Sequence, residues 1–283
     1  MRSSLVSKLR RLLLPPESPQ ELLLRTLYHR LNASPFFVKR QINRAEASYR
    51  TWRREQDAQV PPSAERPDPL PVVMFLLSIA PGEEGSALAT VDSLIALHGD
   101  GWQVQPVVTA GVDLVVYQAR ANVDGRLHQP LELDELKLTA LPELAADFVV
   151  FCRAGDVFHP ALLDHFHVAL AAVPGSAVYY TDCEHAQAGS TAFKPFFKPA
   201  ASSPELMLSF NYLSRGFIQK TSLVGLHTDP CEFSDLMDLE YALFLGLLSQ
   251  SALMQHIPAV LVRLSSLPPL GKDQRAEIIT ACY

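Results

Sequence analysis

No two of the four cysteines, Cys152, Cys183, Cys231 and Cys282, stand in a C-x-x-C arrangement. That spacing argues against a zinc module and against a dense disulfide framework, and it suits a reducing compartment. Missing as well is any apolar run near the ~20 residues that cross a bilayer. The opening MRSSLVSKLRRLLLPPESP has an apolar stretch of only residues 12–14, stopped by Pro15 and Pro16, with no small-residue cleavage site after it. It is not read as an export signal. No Walker loop, G-x-G-x-x-G, G-x-S-x-G or H-E-x-x-H element occurs. Aromatic residues are not interleaved with a basic patch, which removes the usual ground for nucleic-acid binding. Internal repeats and low-complexity tracts are absent too.

What is present is a chain of 283 residues, 48% of them hydrophobic, enough for a sizeable core. The net charge of -6 is unevenly spread. Residues 1–60 hold twelve Lys/Arg against five Asp/Glu, a balance of +7, and the remainder holds twelve against twenty-five, or -13. A basic arm on an acidic body can seek an anionic membrane surface or an acidic partner, or dock on its own body. The resulting expectation is a cytoplasmic protein, peripheral at the inner face of the membrane if the arm engages lipid.

Four segments follow. Residues 1–58 read as a basic helical extension, with Leu23, Leu24, Leu27 and Leu31 near one stripe. Residues 59–71 form a linker, since 60–71 (VPPSAERPDPLP) carries five prolines in twelve residues. Residues 72–266 alternate strand and helix patterns, and 267–283 form a tail. The strand signals are VVMFLLSIA, WQVQPVVT, DLVVY, DFVVFC and AVYYTD. The helix signals are GSALATVDSLIALHG, LDELKLTALPELAA and PALLDHFHVALAAV. This alternation predicts an α/β fold, a mixed central sheet flanked by helices, with ligands at the strand ends.

Several stretches are similar to the family 2 glycosyltransferases, in their bacterial rhamnosyltransferase-like subgroup of surface-polysaccharide enzymes. SYRTWRREQ resembles that subgroup's Tyr-x-x-Trp segment, and YYTDCE at 179–184 its Tyr-Ser-Asp-Glu-Asp. FKPFFKPAASSPELMLSFNYLSRGF at 193–217 resembles its Phe-Lys-Pro … Ser-Pro-Asp-Leu-Leu-Leu-Ser-x-Asn-Tyr stretch, and HIPAVLVRL its closing strand. The likeness covers residues 49–266 and implies a GT-A (Rossmann-like) fold. It also implies a nucleotide-sugar donor, a saccharide or lipid-linked acceptor, and a divalent cation as the family norm.

The departures from that pattern fall on the donor side. Where the family has Pro-x-Tyr-Asn after the first strand, this chain has Ser78, Ile79, Ala80 and Pro81. Val108 and Thr109 replace the acids that grip base and ribose, and Leu138 an asparagine. Arg153, Ala154 and Gly155 stand in place of the metal-binding Asp-x-Asp. Gly246 replaces an arginine that meets diphosphate, and Leu264-Ser265 replaces Trp-Arg. Magnesium and manganese need hard oxygen ligands, which these side chains do not supply, so no metal or other cofactor is expected.

The residues left to carry chemistry each admit two readings. Arg153 could bind diphosphate bidentately in place of a cation. Asp156 could face a phosphate or metal, or simply close the turn. Glu240 could be the general base, or a solvated acid on the polar side of SDLMDLEYALFLGLL. Asp182 and Glu184 could line an acceptor cleft, or be turn acids. Lys194 and Lys198 could draw an anionic acceptor, or lie in an extended surface segment. His165 and His167, at i and i+2, point to different helix faces and are not read as a metal pair. Two functions remain open: a transferase working without a metal or impaired, and a catalytically silent GT-A scaffold that binds a partner, glycan or membrane.

Overall fold

The computed structural model describes residues 35–58, 67–109, 111–133, 136, 141, 143–186, 193–224, 226 and 235–265, with side chains from residue 44 onward. The chain divides into two compact units, Met1–Gln59 and Val60–Tyr283. In the first, helix α1 (Pro35–Asp57) carries the stacked rings of Tyr49 and Trp52 and the i,i+4 pair Arg53–Asp57.

The second unit is built on one mixed sheet. In chain order it contains β1 (Val73–Ile79), α2 (Glu84–Ile95), β2 (Trp102–Val108), α3 (Val115–Ala121) and β3 (Leu131–Glu132). These are followed by β4 (Phe148–Arg153), β5 (Val157–Phe158), α4 (Leu162–Ala172), β6 (Val178–Ala186) and β7 (Phe193–Phe196). Last come α5 (Pro204–Ser209), β8 (Phe217–Gln219), α6 (Leu236–Ser249) and β9 (Met254–Leu264). The spatial order is β3-β2-β1-β4-β8-β6-β9-β5, with β7 pairing β6. Strands β2, β1 and β4 run parallel in register, Leu76 lying beside Gln105 and Phe151. The chain moves outward from β1 to β2 and β3, then returns to place β4 on the other side of β1. That reversal opens a crevice at the carboxyl ends of β1 and β4.

Strands β1 and β4 are apolar except for Ser78 and Arg153 near their carboxyl ends, because both faces of the sheet are covered. Val73, Phe75 and Leu77 of β1 pack with Ala87, Val91 and Leu94 of α2 and Phe166 of α4. Met74 and Leu76 face the other way, into a second cluster with Tyr241 and Phe244 of α6. Phe166 stacks on Phe217 at 4.2 Å between centroids, joining α4 to the sheet. Proline in β2 is tolerated because Pro106 sits where the β3 ladder has not begun, its first pair being Val107 with Leu131.

Two sequence expectations are corrected. DLVVY is not a strand: residues 115–121 form α3, with Leu114 and Tyr117 buried and Val115 left 67% exposed. A run this short cannot distinguish the two periods, and the Asp113 carboxylate decides by accepting from Val115 N (3.0 Å) at the helix start. Glu240 is not on a polar helix face. Residues 236–245 of α6 are all buried, acids included. Of the helix expected over 132–145, half of the residues, Leu138 among them, lie outside those described.

Candidate functional site

The crevice at the strand ends holds a cavity of about 90 Å³, walled by Ser78 and Ala80 after β1, Val108 and Thr109 after β2, Arg153 after β4, and Asp235 at the start of α6. Its volume is well below the ~300–1,000 Å³ of typical small-molecule sites. Arg153 reaches this wall with 28% of its side chain exposed. Its Nε lies 3.5 Å from Glu83 Oε1 and its Nη1 3.8 Å from Asp235 Oδ2. Each acid is held by its other oxygen. Glu83 Oε2 accepts from Ala80 N (3.2 Å), and Asp235 Oδ1 from Met237 N (3.1 Å), capping α6, and from Ser78 Oγ (3.5 Å).

Behind Arg153 the turn closes tightly. Gly155 has φ +91, and a Cβ there would lie 2.9 Å from Ser265 Cβ, so only glycine fits. Asp156 is wholly buried. Its Oδ1 accepts from Ser265 N (2.8 Å), and its Oδ2 accepts from Arg153 N (2.9 Å) and Arg215 Nε (2.5 Å). A divalent cation would need oxygen ligands at this strand end. Arg153 is a cation, Ala154 and Gly155 have no ligating side chain, and both oxygens of Asp156 are committed. The residues present do not fit the family's metal. Among the described residues no group of three His, Cys, Asp or Glu could hold one elsewhere.

Arg215 organises the interior beyond the turn. It is 3% exposed, stands at φ +65, and joins Asp156 to Glu240, whose Oε2 lies 3.5 Å from its Nη1. Glu240 Oε1 also accepts from Arg215 N (2.7 Å), and Asn211 Nδ2 donates to Oε2 (3.2 Å). Burial raises the Glu240 carboxyl above its ordinary range, against the pull of Arg215. Burial also works against the Arg215 charge, but Asp156 and Glu240 outweigh it and hold the guanidinium protonated.

The residues assigned to the acceptor side separate into distinct settings. Asp182 Oδ1 accepts from Lys198 N (2.7 Å) and His256 Nε2 (2.8 Å). Lys198 is buried and its Nζ donates to Ser214 O (2.9 Å), while desolvation lowers its pKa. Glu184 receives Arg263 through Nε and Nη2, both at 2.8 Å. Lys194 is exposed on β7, opposite His185 of β6. Gly246 packs against Leu226, 3.2 Å from where a Cβ would stand. Sequence reasoning missed Arg215, Glu83 and Asp235. Their ionic partners lie 25 to 82 residues away in the chain, and only Asp235 carries a local signal, as the N-cap residue of α6.

Strand order, the two packed faces and the crevice are those of a GT-A-like α/β fold. Among solved structures, TarS 1-349 from S. aureus superposes with a TM-score of 0.53 at 11% identity, over 75% of this chain and 70% of that one. TarS 1-349 in complex with UDP-GlcNAc gives 0.52 at 12% identity, over 75% and 61%. A longer TarS structure gives 0.53 at 12%, with only 42% of its length covered. No family model and no curated protein sequence matches the chain.

Proposed function

We propose that this chain is a glycosyltransferase-type protein of glycan assembly whose nucleotide-sugar site is closed, so that it serves as a GT-A scaffold for a partner, glycan or membrane surface. The observation that carries the reading is the commitment of Asp156. The one acid at the end of β4 is spent on Ser265, Arg153 and Arg215, inside a turn too tight for a side chain at residue 155. Leaving-group stabilisation in nucleotide-sugar transfer needs a cation, arginines or helix N-termini aimed at the diphosphate. The metal seat does not fit, Gly246 faces Leu226, and Arg153 stands between two carboxylates.

A second reading is favoured by Arg153 itself, which lines the cavity with its ion pairs at 3.5 and 3.8 Å rather than in hydrogen-bond contact. In that reading Arg153 takes the diphosphate without a metal and Glu240 serves as base. At 1% exposure, Glu240 would have to be uncovered to reach an acceptor hydroxyl. Calorimetry with UDP-, GDP- and dTDP-sugars, with and without manganese, separates the two. The closed site gives no heat under either condition. Micromolar binding overturns it, and loss of that binding in Arg153→Ala assigns the cation-free route. The basic segment 1–58 is the proposed contact for a protein partner or anionic membrane. No helix among the described residues is long and apolar enough to cross a membrane.

A further inference from the structure

We infer that Glu83 and Asp235 form a carboxylate clamp that occupies Arg153 in place of a diphosphate and keeps polyanions out of the strand-end cavity. The inference rests on the closed-site reading and names the residues that close it. Among the described residues lining the cavity Arg153 is the cation, and the two acids approach it from different elements. Glu83 lies just before α2 and Asp235 at the N-cap of α6. Neither carboxylate is a loosely waving side chain. Glu83 is anchored on Ala80 N, and Asp235 on Met237 N and Ser78 Oγ, so the oxygens facing Arg153 are pre-positioned. With one guanidinium and two carboxylates the group carries a net charge of -1, which repels an incoming diphosphate. All three side chains are about 30% exposed and their ion pairs are long, so each pair contributes little to folding and can be opened without loss of the fold. The clamp therefore determines which ligands are refused more than it determines stability.

The test titrates inorganic pyrophosphate into the full chain by calorimetry, at low salt, for wild type, Glu83→Gln, Glu83→Gln/Asp235→Asn, and the double variant with Arg153→Ala. Glutamine retains the acceptor for Ala80 N, and asparagine retains the helix cap. The double variant should bind at least about tenfold more tightly than wild type, with Glu83→Gln in between, and Arg153→Ala should abolish the gain. If the double variant does not fold, the gain in Glu83→Gln decides, since the Glu83 side chain, at the N-cap position of α2, makes no cap hydrogen bond. Equal affinity in wild type and the neutralised variants overturns the clamp, and so does a gain that survives Arg153→Ala. The closed-site reading fails separately, when wild type itself binds a nucleotide sugar. A clamp whose removal still strengthens pyrophosphate binding would survive that result.

Discussion

Arg215 is the residue on which the interior charges depend. Its guanidinium meets Asp156 at 2.5 Å and Glu240 at 3.5 Å, and its backbone N–H also reaches Glu240. Removing one member of a buried pair leaves the others uncompensated at a cost of about 3–5 kcal/mol. Arg215→Met should therefore lower the free energy of unfolding by about that amount in urea titrations. A loss under ~1 kcal/mol would show that water reaches the two acids. Glu240 adds a pH dependence whose sign follows from its environment. Burial lifts its folded-state pKa above the ordinary 4.5, so the folded chain holds this proton longer than the unfolded chain does. Its contribution to stability is then greatest below about 4.5 and declines as pH rises through the folded value. Unfolding titrations from pH 4 to 8 should show wild type losing stability relative to Glu240→Gln. A pH-independent difference would mean that Arg215 cancels the effect of burial, and a gain for wild type with rising pH would mean that it keeps the carboxylate ionised.

At the scale of elements, the turn from β4 to β5 couples three parts of the molecule. Gly155 N donates to Ser86 O and Thr90 Oγ1 of α2, Asp156 Oδ1 accepts from Ser265 N beyond β9, and Asp156 Oδ2 accepts from Arg215. Gly155→Ala puts a methyl 2.9 Å from Ser265 Cβ at φ +91, which should cost about 1–3 kcal/mol and lower the melting temperature. An unchanged melting temperature would show that the end of β9 yields freely. Other elements differ in how far the sequence discloses them. Strands β1 and β4 are legible because seven and five consecutive residues of bulky apolar or small character leave little alternative at a doubly covered position. Helix α6 is legible as a helix but not as a buried one. Its acids suggest a wet face, and only Arg215, brought from a distant turn, makes Glu240 compatible with burial. The short DLVVY run misleads because Val115 and Val116 favour strands locally, while burial of Leu114 and Tyr117 requires one helical turn between them.

For the whole molecule, the separation of charge is the property most open to measurement. Residues 1–60 carry +7 against -13 in the rest of the chain. If the arm is a surface-binding segment, the full chain should sediment with anionic liposomes at low salt, release as salt approaches physiological strength, and lose the association when residues 1–58 are deleted. Sedimentation unchanged by the deletion would assign the contact to the acidic body and remove the arm from the proposal.

Composition and periodicity by themselves determine the layered α/β architecture, because apolar strands and amphipathic helices in alternation have few ways to bury their faces. The resemblance to the family 2 glycosyltransferases adds that metal ligands would be missing at Arg153, Ala154 and Gly155, none of which has an oxygen side chain wherever the fold puts it. Only the tertiary structure decides what surrounds that turn. Ion pairing depends on distance through space, and Glu83, Asp235, Arg215 and Ser265 converge on the β4 turn from remote parts of the chain.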